Sequence, residues 1–292
     1  MTQEKYVQRT FMKYSSDDIA LDRAGEMVLL SCNEALARGA IEAGVRVAAS
    51  YPGSPLPYVM DNLAIAASAY PEMHVEWSTN EKTAYEVTLG ASMAGVRALC
   101  PMKNVGMNWI MDPLASSQLN GTSGLVIVVA DDPGAETTQN EQDTRYLAMF
   151  TEIPVLEPST MQEVKDFTAE AFELSERLMI PVVLRVMERL GYGREPVVLG
   201  PIKHEVRKRE ARYVWNTAWN LPWPERAAAA RHKRFHGEVS RDIEEMVGSL
   251  PRADAVEKAV DEHSFNVLQM SKGARLGIIA AAMTYPPLVE AL

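Results

Sequence analysis

The stretch EWSTNEKTAYEVTLGASMAGVRALCPMKNVGMN, residues 76–108, decides the fold. It begins at the end of a short strand, 73–77, and crosses the polar turn Ser78-Thr79-Asn80. A helix then opens with Glu81 and Lys82 and continues through small and apolar residues to Gly95. A second strand, 96–100, follows, then a turn holding Lys103, Asn104 and Gly106, then a helix over 107–120. Strand, helix, strand, helix is the repeating unit of a parallel sheet. Glu81 is the odd member. It stands in the first turn of a helix otherwise suited to burial, just beyond a strand's carboxyl end, where open α/β sheets bind ligands. A carboxylate there also complements the helix macrodipole by about 0.3–1 kcal/mol, so this stretch alone leaves cap and catalyst both open.

The alternation continues in both directions. Upstream, 27–31 (MVLLS) reads as a short buried strand, and the helix that follows stops at Gly44. Residues 45–50 form the next strand, Tyr51-Pro52-Gly53-Ser54-Pro55 a rigid turn, and 57–70 a helix with Pro57 in its first turn. Downstream, 124–130 (GLVIVVA) is a charge-free, β-branched run of the kind buried in parallel sheets. After it come the loop Asp131-Asp132-Pro133-Gly134, a helix over 140–150, a short strand at 155–156, an amphipathic helix over 160–178 and a last strand, 181–185. The expected fold is α/β, a mainly parallel sheet flanked by helices, over residues 27–190, with 1–26 as an N-terminal arm. The loops after its strands carry Ser54, Asn80 with Glu81, Lys103 with Asn104, and Asp131 with Asp132, and the topology gathers them on one edge.

Past 190 the pattern changes. Residues 191–265 read as a linker or docking arm: glycines and prolines break the regularity, a basic run over 207–241 carries Trp215, Trp219 and Trp223, and 239–250 has a helical pattern. Residues 266–292 read as the start of an incomplete α/β domain. There 276–283 (LGIIAAAM) is expected as a buried strand and 287–292 as the opening of a helix. Such a strand needs a sheet to join, either this domain's own edge or another chain's.

Composition excludes several classes. The 292 residues carry a net charge of −10, which disfavours nucleic acid as a partner because phosphate binding needs a basic surface. The two cysteines, Cys32 and Cys100, lie inside apolar runs and cannot supply a four-thiolate cluster. No zinc-ligand spacing occurs, so no metal site is expected on this chain. The polar N-terminus lacks the apolar core of a secretion signal, and no run is long enough to span a bilayer, so a cytoplasmic location is expected. The glycine-rich phosphate loops GxxxxGK[ST] and GxGxxG after a strand are absent, as are the GxSxG elbow and a GDG motif followed by Asn. The domain lacks the means to hold a cofactor by its phosphates.

The segments YPGSP (51–55), 76–108, GLVIVVADDPGAETTQNEQDTRYLAMF (124–150) and PVLEPS (154–159) together resemble the indolepyruvate:ferredoxin oxidoreductase large-subunit family. These enzymes are thiamine-diphosphate-dependent 2-oxoacid:acceptor oxidoreductases. The resemblance is close over 27–190 and looser over 265–292. It implies the pyrimidine-binding domain, with a transketolase-like pyrimidine fold, and matches Glu81 to the catalytic glutamate that hydrogen-bonds N1′ of the aminopyrimidine. That bond favours the imino tautomer, whose nitrogen removes the C2 proton of the thiazolium.

The resemblance further implies that Ser54, Asn80, Asn104 and Asn108 border the cofactor. Ser54 would also meet substrate, with a structural turn serine as the alternative. Lys103 would pair with a substrate carboxylate, with a plain surface lysine as the alternative. Asp131 and Asp132 depart from the family, because they stand where pyruvate-using relatives place an arginine. The amide-rich run 136–143 would cap its helix and border the cofactor. With no phosphate-binding apparatus here, a diphosphate-binding subunit and one or more iron–sulfur subunits are the implied partners. They would hold the magnesium ion, the cofactor's diphosphate and the 4Fe-4S clusters. The implied reaction is oxidative decarboxylation of a 2-oxo acid, best guessed as aromatic such as indolepyruvate, with electrons passed to the clusters and the acyl group taken by coenzyme A where it is used. A non-catalytic assembly subunit of such a complex is the alternative.

Overall fold

A computed structural model describes residues 17–120, 122, 124–204, 258–269, 273 and 277–291. Six strands form one parallel sheet in the order β3-β2-β4-β5-β7-β6. They are β2 (Val47–Ser50), β3 (His74–Trp77), β4 (Ala98–Lys103), β5 (Leu125–Asp131), β6 (Val155–Leu156) and β7 (Val182–Met187). A separate antiparallel pair joins β1 (Met27–Ser31) to β8 (Arg194–Val198). The expected α/β class with a parallel sheet is what the chain forms.

The period-two alternation of the strands sorts their side chains onto two faces. Leu99, Val126, Val128, Leu184 and Val186 pack against α1 (Cys32–Glu42), α2 (Pro57–Ala66) and α6 (Met161–Leu178). Cys100, Met102, Ile127, Val129 and Val183 face α3 (Glu81–Met93), α4 (Gly106–Asn120) and α5 (Thr144–Thr151). Each fully buried aliphatic side chain contributes about 1.5–3 kcal/mol. Local signals set the helix starts. Ser31 and Glu34 form a reciprocal capping box on α1, and the Thr160 hydroxyl accepts from the Glu163 amide at 3.2 Å on α6.

Segments outside 27–190 also belong to this unit. Ile19 is buried in the first core cluster, as are Val197, Leu199 and Ile202. The Phe167 ring on α6 stacks on Phe265, with centroids 3.7 Å apart. A buried ion cluster of Arg38, Glu42 and Lys165 ties α1 to α6 and to the backbone at Ile19, Leu21 and Gly200.

Four expectations need correction. First, β1 is no buried member of the main sheet: it pairs only with β8, and Met27 and Leu29 are exposed. Second, 181–185 is not the last strand, because β8 follows the one-turn helix α7 (Glu188–Gly191). Third, α5 starts at Thr144 rather than 140, because the preceding residues fold back as a loop capped by Asp143. Fourth, 277–281 form no strand, and the Ile279 side chain is 100% exposed; the adjoining helix α8 (Tyr285–Ala291) is formed. Apolar composition supplied no neighbouring strand to pair with. The three tryptophans of the basic run and the 239–250 helix lie outside the described residues. Among the described residues no helix is long and apolar enough to cross a membrane.

Candidate active site

The sheet order contains a switch point. From β2 the chain moves outward to β3, and from the adjacent β4 it moves the other way to β5. The loops leaving these two neighbouring strands therefore diverge, which is where open α/β sheets form a crevice. They touch at its base: a β-carbon on Gly53 would lie 3.0 Å from Lys103 Cβ.

Glu81 stands beside this point as the first residue of α3. Asn80 caps that helix, its side-chain oxygen accepting from the Thr83 amide at 2.9 Å. Lys82 turns away to Asp112 at 3.1 Å. The Glu81 carboxylate is half-buried and, among the described residues, has no hydrogen-bond or salt-bridge partner. It lies over Gly106 at the start of α4, where a β-carbon would be 2.7 Å from Glu81 Cγ and 3.1 Å from Oε1. Only a glycine leaves that position open. Below lies an apolar wall that includes Ala84, Tyr85, Cys100 and Met107. Burial pushes the Cys100 thiol up to about 12, against a hydrogen bond with Thr88 and with the Glu81 charge adding to the rise.

The β4–α4 turn supplies the next groups. Asn104 is wholly buried. Its amide N–H donates to Ala130 O at 3.0 Å, and its side-chain oxygen accepts from the Val105 amide at 2.8 Å. Its Nδ2 has no partner. A buried amide donor without an acceptor costs about 1–3 kcal/mol and calls for a partner or a functional reason. Lys103 Nζ donates to Thr137 O at 2.6 Å, which engages one of its three protons. Asn108, exposed on the first turn of α4, forms a reciprocal amide pair with Gln142: Asn108 Nδ2 to Gln142 Oε1 at 3.0 Å and Gln142 Nε2 to Asn108 Oδ1 at 3.2 Å.

Asp131, the last residue of β5, and Asp132 after it turn inward. Asp131 accepts from Arg185 Nε at 2.5 Å and from the Thr144 amide at 3.0 Å. Asp132 accepts from the amides of Glu136 at 3.1 Å, Thr137 at 2.7 Å and Thr138 at 3.0 Å. Burial works against its charge, but hydrogen bonds from Glu188 and these amides hold its carboxyl well below the usual range. Glu188 moves the other way, raised chiefly by its hydrogen bond to Asp132 and then by burial. Ser54 is exposed on the β2–α2 turn, before a cis bond to Pro55; Pro55 rests against Gly191, where a β-carbon would lie 2.9 Å away.

Ser54, Glu81, Lys103 and Asn104 are thus brought to one end of the sheet, with Asn80 in a capping role and Asn108 held by Gln142. A cavity of about 350 Å³ opens alongside, between Gln142, Arg145, Arg185, Met187 and the turn at 281–284. Sequence reasoning missed Gln142 and Glu188 as individual residues. The amide-rich run 136–143 was the signal for the first, and nothing in the sequence marked the second. The arrangement suits a nitrogen heterocycle. Glu81 offers an unpaired carboxyl group at the edge of an apolar wall, Gly106 keeps that carboxyl's seat open, and Asn104 offers a free buried donor. Among the described residues no cluster of metal ligands occurs.

Fold and site together define an α/β cofactor-binding domain of the class that reads its ligand across a sheet switch point. The chain belongs to the pyruvate flavodoxin/ferredoxin oxidoreductase, thiamine-diphosphate-binding family, whose model matches residues 38–252. It is 39% identical over 288 residues to the indolepyruvate oxidoreductase subunit IorA of Pyrococcus abyssi, a match covering 95% of this chain and 41% of that protein. It is 29% identical over 193 residues to the 2-oxoglutarate synthase subunit KorA of Methanothermobacter marburgensis, covering 64% of this chain and 51% of that protein. The chain spans about two fifths of the length of the IorA relatives it matches. A solved 2-oxoglutarate:ferredoxin oxidoreductase from Magnetococcus marinus shares the fold, with a TM-score of 0.53 at 20% identity over 60% of this chain and 32% of that one.

Proposed function

We propose that this chain is the pyrimidine-binding part of a heteromeric, thiamine-diphosphate-dependent 2-oxoacid oxidoreductase, and that Glu81 is its catalytic residue. The observation that carries this reading is the half-buried Glu81 carboxyl group, unpartnered and seated over Gly106 beside the switch point. When bound, thiamine diphosphate supplies the carbon nucleophile that attacks a 2-oxo acid and takes up the electrons left when carbon dioxide departs. Glu81 holds a proton at the ring nitrogen of the pyrimidine. The apolar wall excludes water from that contact, which strengthens it. Asn104 Nδ2 donates to the ligand and so satisfies its own buried amide. Ser54, on the β2–α2 turn, would meet the substrate, and Lys103, at the end of β4, would pair with its carboxylate; Lys103 retains two protons beyond the one given to Thr137.

The sequence carries neither a glycine-rich phosphate loop nor a GDG motif followed by Asn, which supports assigning the diphosphate and magnesium to a partner unit and the electrons to iron–sulfur partners. An aromatic 2-oxo acid such as indolepyruvate is the preferred substrate, on the strength of the relatives named IorA. On this reading residues 27–190, extended through β8, are the pyrimidine domain, the arms before and after it dock partners, and the assembly is cytoplasmic. The test is Glu81→Gln in the complex purified with its natural partner chains. Turnover of indolepyruvate should be lost, with assembly and melting behaviour retained. Turnover at the wild-type rate would overturn the assignment.

A further inference from the structure

We propose that Gln142 is a positioning residue for the cofactor cleft, acting through Asn104 and Asn108; this rests on the reading of the cleft as a thiamine diphosphate site. Gln142 sits near the end of the β5–α5 loop and reaches across to the β4–α4 turn. Its Nε2 donates to Asn104 O at 2.8 Å. The same group and Oε1 form the reciprocal pair with Asn108 at 3.2 and 3.0 Å. One side chain thus fixes the carbonyl of the residue whose Nδ2 is the buried free donor, and also sets the amide orientation of Asn108. The turn it holds ends at Gly106, on which Glu81 rests. Three candidate groups are therefore referred to one glutamine that itself lies in a half-buried position at the rim.

The rest of the loop supports this role. Asp132 gathers the amides of residues 136–138 at its base, and Lys103 Nζ holds Thr137 O midway. The loop is anchored without Gln142, so that side chain is free to serve the turn opposite rather than its own loop. Replacing it removes the hydrogen bonds to the β4–α4 turn and leaves the loop's other anchors in place.

The experiment measures thiamine diphosphate affinity by titration calorimetry on the cofactor-stripped complex with its partner chains. The proteins are wild type, Gln142→Met, Asn108→Ala and the double variant. Gln142→Met is expected to weaken binding about tenfold, the loss of roughly one well-placed hydrogen-bond network, at an unchanged thermal midpoint. The double variant should be no weaker than about the weaker single, since both act in one network. A lowered midpoint with wild-type affinity would mean a merely structural clasp and overturn the inference, as would fully additive losses. A wild-type complex that binds no thiamine diphosphate overturns both this and the functional reading. Wild-type binding with an equally tight Gln142→Met overturns this inference alone.

Discussion

Gly106 and Glu81 are in mutual contact across the cleft: a β-carbon at position 106 would stand 2.7 Å from Glu81 Cγ. The atom in the way belongs to a flexible side chain, and Gly106 is a helical residue without a left-handed backbone. Gly106→Ala should therefore fold, with stability unchanged or raised by up to about 1 kcal/mol through a less disordered unfolded chain. Glu81 must instead move. Turnover should fall at least tenfold while the thermal midpoint holds, a combination that stopped-flow assays and a thermal melt would reveal together. Equal losses of activity and stability would show that Gly106 serves packing.

One side of this contact, Glu81 at the start of its helix, was legible in the sequence. Asn80 followed by Glu81 after HVEW marks a capped helix at a strand's end, and GLVIVVA marks a central strand. The partner of Glu81 was not legible, because nothing local says that Gly106, a full strand later, faces the first turn of α3. β8 was missed because Pro196 and Glu195 interrupt its pattern and only Val197 is buried; an edge strand tolerates both. The run 276–283 misled in the opposite sense, since hydrophobicity specifies burial only when a surface exists to cover it.

Glu42 should matter more to stability than its place near the end of α1 suggests. It accepts from Arg38 Nε at 2.7 Å, Lys165 Nζ at 2.9 Å and the Gly200 amide at 2.6 Å, all within the buried interface. Glu42→Ala leaves the buried Arg38 with carbonyl acceptors only, while Lys165 keeps Asp166 at 2.5 Å, so the loss should lie near the lower end of the range for breaking a buried pair, about 3 kcal/mol. Urea unfolding would measure it.

Gly39 marks the closest approach of α1 to α6. A β-carbon there would lie 2.3 Å from Lys165 O and 2.7 Å from Thr168 Cβ. Unlike Gly106, the obstruction is backbone, so the helices must separate. Gly39→Ala is expected to destabilise by about 1–3 kcal/mol or more, despite alanine's higher helix propensity. A denaturant midpoint equal to the wild type's would refute the close crossing.

Asp132 and Glu188 impose opposite pH dependences on folding. The Asp132 carboxyl is lowered in the fold, by hydrogen bonds that outweigh its burial. Its contribution is present above its unfolded pKa, about 3.9, and is lost as pH falls through the folded value below that. Glu188 is raised, first by its bond to Asp132 and then by burial. Its contribution is complete below its unfolded pKa, about 4.3, and is lost as pH rises through its folded value above that. Glu188→Gln donates to Asp132 at every pH, so it should remove the share of the loss at higher pH that Glu188 contributes, while leaving the acid limb, to which Asp132 contributes along with the lowered Glu76, Asp143 and Glu173. Unfolding free energies measured from pH 3 to 8, roughly the span of ordinary carboxylate titration and its shifted tail, should therefore diverge only above the usual glutamate range. There the variant should be the more stable protein. A variant curve parallel to the wild type's throughout would mean that Glu188 titrates alike in the folded and unfolded chain.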